Sequence, residues 1–126
     1  ANGDNYVFYA LSQVKGFSSF GTYTGNSSSD GIFINTDFRP GFLMIKGTSN
    51  TGNWVMYDSK RDAHNLSHQI FYANTNDDEG TGTTLVVDLL SNGFKLRGST
   101  NTHNNSSRTY IYFAFAESPF KFARAR

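Results

Sequence analysis

Cysteine is absent from the 126-residue sequence, and charged residues are few and nearly balanced, with a formal net charge of +1. Without cysteine the chain has no disulfide framework, no thiolate nucleophile and no cysteine-ligated metal. The balanced charge argues against a nucleic-acid groove and against a polybasic membrane patch. No apolar run approaches the roughly 20 residues that a spanning helix needs, so we expect no membrane insertion.

Recognisable catalytic signatures are also missing. The sequence has no Gly-x-Ser-x-Gly nucleophile motif, and neither the phosphate-loop nor the dinucleotide-binding glycine pattern occurs. The 10 acidic residues could form a glycosidase-type pair only through the fold, and most of them stand in polar turn segments. We therefore predict a protein that is not an enzyme and that binds no cofactor.

Two clusters of chemically active residues are interpreted as surface groups. His64 and His68 stand four positions apart, which would suit zinc on a helix, but no helical period surrounds them. Acids and amides in residues 74–79 offer oxygen ligands for calcium, but their spacing does not match an EF-hand loop. We predict no metal site at either place.

What the chain has in abundance is 12 Phe, 7 Tyr and 12 Gly, together with many Ser, Thr and Asn. Aromatic side chains favour strands, whereas glycine and small polar residues favour tight turns. A chain of this length can bury a core as a single domain. We therefore expect one all-β domain over residues 1–126, with little or no helix.

The segment at residues 108–117 is apolar on both faces and lacks glycine and proline. In strand geometry Tyr110 lies on one face and Phe113 on the other, each among further apolar side chains. This pattern predicts a central strand with protein layers on both sides. Residues 5–13 repeat much of the pattern at a shift of 104 positions, so that Tyr6 corresponds to Tyr110.

About nine such apolar segments, separated by polar turns, predict an antiparallel β-sandwich of jelly-roll or immunoglobulin-like type. The predicted strands are 5–13, 17–24, 31–35, 42–46, 54–58, 68–73, 83–90, 94–97 and 108–117.

One cluster of aromatic and polar residues predicts a glycan-binding patch. Sugar rings stack on aromatic faces, while their hydroxyls bond to amides, carboxylates and guanidinium groups. The candidate contacts are Asn53, Trp54, Tyr57, Asp58 and Arg61. The competing interpretation places Trp54 in the core and joins Asp58 to Arg61 as a salt bridge at the strand end.

Several motifs together resemble a module in structural proteins of tailed bacteriophages, notably marine and cyanobacterial ones. The resemblance covers the chain from about residue 17 to its end, and the motifs are specific as a set. They are Thr51-Gly52-Asn53-Trp54, Tyr57-Asp58-Ser59-Lys60-Arg61, Leu90 to Arg97 and Thr109 to Glu117, with Phe38-Arg39-Pro40 and Leu43 to Lys46.

In such proteins the module resembles a repeat, so residues 1–16 would hold the closing strand of a preceding copy and residues 17–126 the module. The resemblance implies an external structural protein of the virion, with other virion proteins as partners, and it brings no catalytic residues. We expect a tail fibre, spike or similar appendage that contacts the host surface, where a host glycan is a further candidate partner. The alternatives are a capsid decoration protein and a carbohydrate-binding module outside any virion.

An exposed strand edge also predicts a homo-oligomer, because unpaired backbone groups invite pairing with a neighbouring chain. The candidate edge residues are Tyr6, Phe8 and Ala10.

Overall fold

Strands form all of the regular secondary structure in residues 3–120, the residues that this computed structural model describes. In chain order they are β1 (Ser18–Thr24), β2 (Phe33–Asn35), β3 (Pro40–Gly47), β4 (Val55–Asp58), β5 (Gln69–Tyr72), β6 (Gly80–Thr81), β7 (Val87–Leu90), β8 (Gly93–Leu96) and β9 (Thr109–Ala116). The predicted all-β fold is confirmed. Within the described residues, no helix is long and apolar enough to cross a membrane.

The strands form two antiparallel sheets. The larger sheet has the order β1-β9-β3-β4-β5-β6, and the smaller has the order β2-β8-β7. One core cluster joins them, with Leu43 and Val55 from the larger sheet and Phe94 and Leu96 from the smaller, all four fully buried. This is the predicted β-sandwich.

β9 lies between β1 and β3 and pairs with both along most of its length. Its sequence favours a long strand because aromatic and β-branched residues fill it without a glycine or proline. Tyr110 and Ala114 on its inner face are fully buried, whereas Phe113 and Phe115 on its outer face are only half-buried. The predicted central position is confirmed, but within residues 3–120 no second layer covers the outer face.

The N-terminal part of the chain differs from the prediction. Residues 4–13 form no strand, and the first backbone bridge joins Val14 to Ser18. A single strand is not stable without a neighbour that pairs with it, and β1 does not provide one along its length. The ninth strand is instead β6, a two-residue strand in the polar segment expected to be a loop. Residues 121–126 of the predicted module lie outside the described residues.

Candidate functional site

The outer face of the six-stranded sheet is apolar and incompletely covered. Side chains alternate along β3, so that Leu43 and Ile45 are buried in the core while Phe42 and Met44 point outward. We call this outward surface the aromatic face. Its half-buried apolar side chains are Phe20, Phe42, Met44, Trp54, Met56, Phe71, Ile111, Phe113 and Phe115.

The strand register aligns five of these side chains in one row across five strands. Phe20 lies opposite Phe113, and Phe113 lies opposite Met44. Met44 in turn lies opposite Met56, and Met56 lies opposite Phe71. Residues opposite one another in antiparallel strands share a face, so the row is continuous from β1 to β5.

Aromatic contacts hold the middle of this surface together. The ring of Phe113 lies 5.7 Å from that of Phe20 and 6.4 Å from that of Trp54, measured between centroids. The ring of Phe115 lies 5.6 Å from Phe20 and 6.2 Å from Phe42. These separations suit favourable edge and tilted ring pairs, so the face is a packed surface and not a set of free side chains.

Charged groups at the margin of the aromatic face are held by local partners. The Arg61 guanidinium lies 4.3 Å from the centre of the Phe71 ring and 2.8 Å from a Glu79 carboxylate oxygen. The Lys46 ammonium donates to the backbone carbonyls of Gly47 and Asn50 at 2.6 and 2.9 Å. An apolar centre with a polar rim is the usual anatomy of a protein interface.

A second apolar surface is the N-terminal segment, residues 4–13. Tyr6 is 79% exposed, Phe8 88% and Tyr9 82%. Monomeric proteins rarely leave so many consecutive large apolar side chains in water, and such exposure is typical of surfaces that bind another molecule. The segment contains the three residues predicted as an oligomer edge, and no described residue covers it.

The structure does not bring the five candidate glycan contacts together. Tyr57 is fully buried, and its burial raises the pKa of its phenol, so it cannot touch a surface ligand. Trp54 lies on the aromatic face, whereas its neighbour Val55 is the residue that enters the core. The five residues therefore do not form the predicted patch, and Trp54 does not occupy the competing core position either.

The remaining three candidates have local structural partners. Asn53 accepts a hydrogen bond from the Asn74 side chain at 3.0 Å. The Asp58 carboxylate accepts the backbone N–H of Lys60 at 2.8 Å, and Arg61 forms its ion pair with Glu79 and not with Asp58.

A polar depression of about 460 Å³ lies between the β3–β4 loop and the β8–β9 loop. It is lined by residues 49–52 of the first loop and by Asn101, Thr102 and Arg108 of the second. The Asn50 amide ties the two loops together by donating to the Asn101 carbonyl at 2.8 Å. Sequence reasoning missed this site because its halves are 50 residues apart and consist of ordinary turn residues.

The two histidines considered as zinc ligands line a different depression of about 690 Å³, beside residues 82–86. The nearby Asp62 carboxylate accepts the backbone N–H groups of His68 and Gln69, both at 2.6 Å. These bonds give Asp62 a structural role in fixing the loop. Within residues 3–120, no three His, Cys, Asp or Glu side chains converge as a metal site would require.

One buried titratable group was not foreseen. His103 is fully buried in the β8–β9 loop, and its burial lowers the pKa of the imidazole to about 4. Its ring Nε2 lies 3.3 Å from the Gly98 carbonyl, and its own carbonyl accepts the Tyr23 hydroxyl at 2.7 Å. Asn104 beside it donates to the Gly98 and Ser28 carbonyls at 2.9 and 2.8 Å. This buried polar cluster fixes the loop that carries half of the polar depression.

A family model described as "Domain of unknown function (DUF7483)" matches residues 1–119. The chain belongs to the DUF7483 family. The match to DUF7483 includes the N-terminal segment as well as the whole β-sandwich. No curated protein and no solved structure matches the chain significantly.

Proposed function

We propose that this DUF7483 protein is a non-enzymatic structural protein of a tailed-bacteriophage particle. We place it in a tail fibre, spike or other external appendage that contacts the host surface. Two lines of support carry the proposal: the resemblance of its motifs to phage structural modules, and surfaces suited to assembly with other protein chains.

The aromatic face is the observation that carries the assembly role. β9 is apolar on both sides, yet the sandwich covers only the side that bears Tyr110, and Phe113 on the other side stays half-buried. Completing the burial of one such aromatic side chain is worth roughly 1 kcal/mol, and the face offers nine apolar side chains. A neighbouring virion protein or a second copy would supply the missing layer.

Immunogold electron microscopy tests the placement directly. Antibodies raised against the purified chain would be applied to intact particles of the phage that encodes it, with antibody pre-adsorbed on the protein as the control. Label on the tail appendage is the expected result. Label spread over the capsid would favour the decoration-protein alternative, and particles without label would contradict a virion role.

A second candidate function, carbohydrate binding, is favoured by the polar depression. Arg108, Asn50 and Thr102 are among the residues that line it, and a guanidinium suits the carboxylate of an acidic sugar. A glycan array tests this function. Binding that Arg108→Gln abolishes without lowering the melting temperature would assign the depression, whereas the same result for Trp54→Ala would assign the aromatic face.

A further inference from the structure

β1 is the end strand of the six-stranded sheet, and within residues 3–120 no strand covers most of its second edge. The carbonyl of Phe17 accepts the Ala116 N–H at 2.9 Å, and the Gly25 N–H donates to the Arg108 carbonyl at 3.2 Å. Because bonding alternates along an antiparallel strand, the odd-numbered residues of β1 bond to β9. The N–H and C=O groups of the even-numbered residues point away from β9, towards the second edge of β1.

Three even-numbered residues form the open part of this edge: Phe20, Thr22 and Thr24. Among residues 3–120 no strand lies beside them, so six backbone groups lack a sheet partner. Ser18, at the start of β1, is already occupied by Val14, with backbone bonds of 2.9 and 3.2 Å. An incoming strand of about five or six residues would match the open length.

The N-terminal segment has the properties of such a strand. It holds six consecutive apolar residues from Tyr6 to Leu11, without glycine or proline, and all of them are exposed. The turn that would start pairing with its own β1 is formed at Val14, and the Ser18 hydroxyl donates to the Ser12 carbonyl at 2.9 Å. Before Ser12, however, the chain runs apart from β1, although the turn that joins the two segments is already formed. Among residues 3–120, the edge and the segment therefore both lack a partner.

We propose that residues 6–10 of one copy add as an antiparallel strand to the open edge of β1 in a second copy. The inference deepens the assembly part of the proposed function and rests on it for its biological purpose. The occupant is a second copy because the segment repeats the sequence of β9, the strand that β1 already accepts on its other side.

The register follows from that repeat. β9 places Ile111 opposite Thr22 and Phe113 opposite Phe20. With the same register, residues 7 and 9 of the second copy lie opposite Thr22 and Phe20. Tyr9 then lies next to Phe20 and extends the row of the aromatic face by one strand. Phe8 lies opposite Gly21, a position where an aromatic neighbour can cover an edge glycine.

The tether makes the exchange reciprocal. Only seven residues, 11–17, separate the donor segment from β1 of the same chain. They span at most about 25 Å, so the donor stays near its own edge. Two copies must bring their β1 edges together, and each then gives and receives one segment. This arrangement is a two-fold dimer.

Disulfide cross-linking tests the register, because the native chain has no cysteine. Full-length Val7→Cys and Thr22→Cys chains are mixed and oxidised, so that a Val7–Thr22 disulfide can join only different molecules. Opposed residues of this kind lie about 5.5 Å apart between Cα atoms, within disulfide range. We expect a covalent heterodimer on non-reducing gels. The matched control mixes Val7→Cys with Asn92→Cys, an exposed turn residue of the smaller sheet.

Two results would overturn the inference. One is a yield of the Val7→Cys/Thr22→Cys heterodimer that is no higher than the yield with the Asn92→Cys control. The other is a Val7→Cys/Thr22→Cys double variant that oxidises to a monomer with an internal bond, which would make the segment's own β1 the acceptor.

Tyr9→Pro gives an independent readout in the full chain. It removes a backbone N–H that the β1 edge would accept. Because Tyr9 is exposed in the single chain, the melting temperature should stay unchanged at dilutions where the wild type is monomeric. We expect the dimer Kd to rise about tenfold or more. A Tyr9→Pro dimer as tight as wild type would overturn the strand exchange. If Phe113→Thr weakened the dimer in that case, the result would support assembly through the aromatic face instead. Unlabelled phage particles would instead contradict the proposed function and leave this dimer geometry intact.

Discussion

The buried imidazole of His103 should make the stability of the protein depend on pH. Its folded-state pKa is about 4, whereas an unfolded histidine titrates near 6.5. Between these values the unfolded chain binds the proton and the folded chain does not. The free energy of unfolding is therefore fully retained above pH 6.5 and falls as the pH is lowered towards 4.

The size of the effect follows from the same two values. Over the whole window the loss approaches about 3 kcal/mol, and between pH 7.5 and pH 5.0 it is about 2 kcal/mol. Glu117 contributes little in this range. The pKa of Glu117 is lowered mainly by a hydrogen bond from Lys60, so this group stays ionised and its stabilisation is lost only at lower pH.

Urea unfolding of wild type, His103→Gln and His64→Gln at pH 7.5 and 5.0 measures this loss. The glutamine amide at position 103 can still donate to the Gly98 carbonyl but cannot take up a proton. We expect the drop in wild type and in the exposed-site control His64→Gln, and its near absence in His103→Gln. Equal stability of wild type at both pH values, or the same drop in His103→Gln, would refute the reasoning.

Two further predictions concern buried groups. Tyr57→Phe should leave the melting temperature unchanged or raise it, because the Tyr57 hydroxyl is buried without a hydrogen-bond partner among residues 3–120. Tyr23→Phe, the matched change, should cost roughly 1–3 kcal/mol, because it leaves a buried carbonyl unsatisfied; equal effects of the two variants in thermal unfolding would contradict this contrast. Gly98→Ala should destabilise by about 1–3 kcal/mol in urea titrations, because a methyl group there collides with the Thr84 carbonyl. An unchanged unfolding midpoint would show that the loop can move aside.

Composition and periodicity predicted much of the fold. Aromatic, β-branched and turn-forming residues are local signals, and eight of the nine predicted strands overlap strands of the structure. The central place of β9 followed from its two apolar faces. The strand predicted at residues 5–13 has the same local signal. A strand also needs a neighbouring strand to pair with, and the sequence of the segment does not indicate whether one is present.

The candidate site was less predictable. Both faces of β4 are apolar, so the sequence did not reveal that Val55 and Tyr57 enter the core while Met56 faces outward. His103 stands among serine, threonine and asparagine residues, which indicates an exposed loop. Its burial depends on contacts with residues about 80 positions away, such as Tyr23, and long-range contacts leave no trace in local composition.

The central claim is that the uncovered apolar surfaces of this protein bind other protein chains. Sedimentation velocity of the wild-type chain over a concentration series tests it most directly. Phe113→Thr alters the centre of the aromatic face, and Phe33→Thr is the matched control on an exposed phenylalanine of the smaller sheet. We predict that wild type and Phe33→Thr self-associate and that Phe113→Thr does so more weakly. A wild-type chain that stays monomeric at every concentration, with the same coefficient as Phe113→Thr, would contradict the claim.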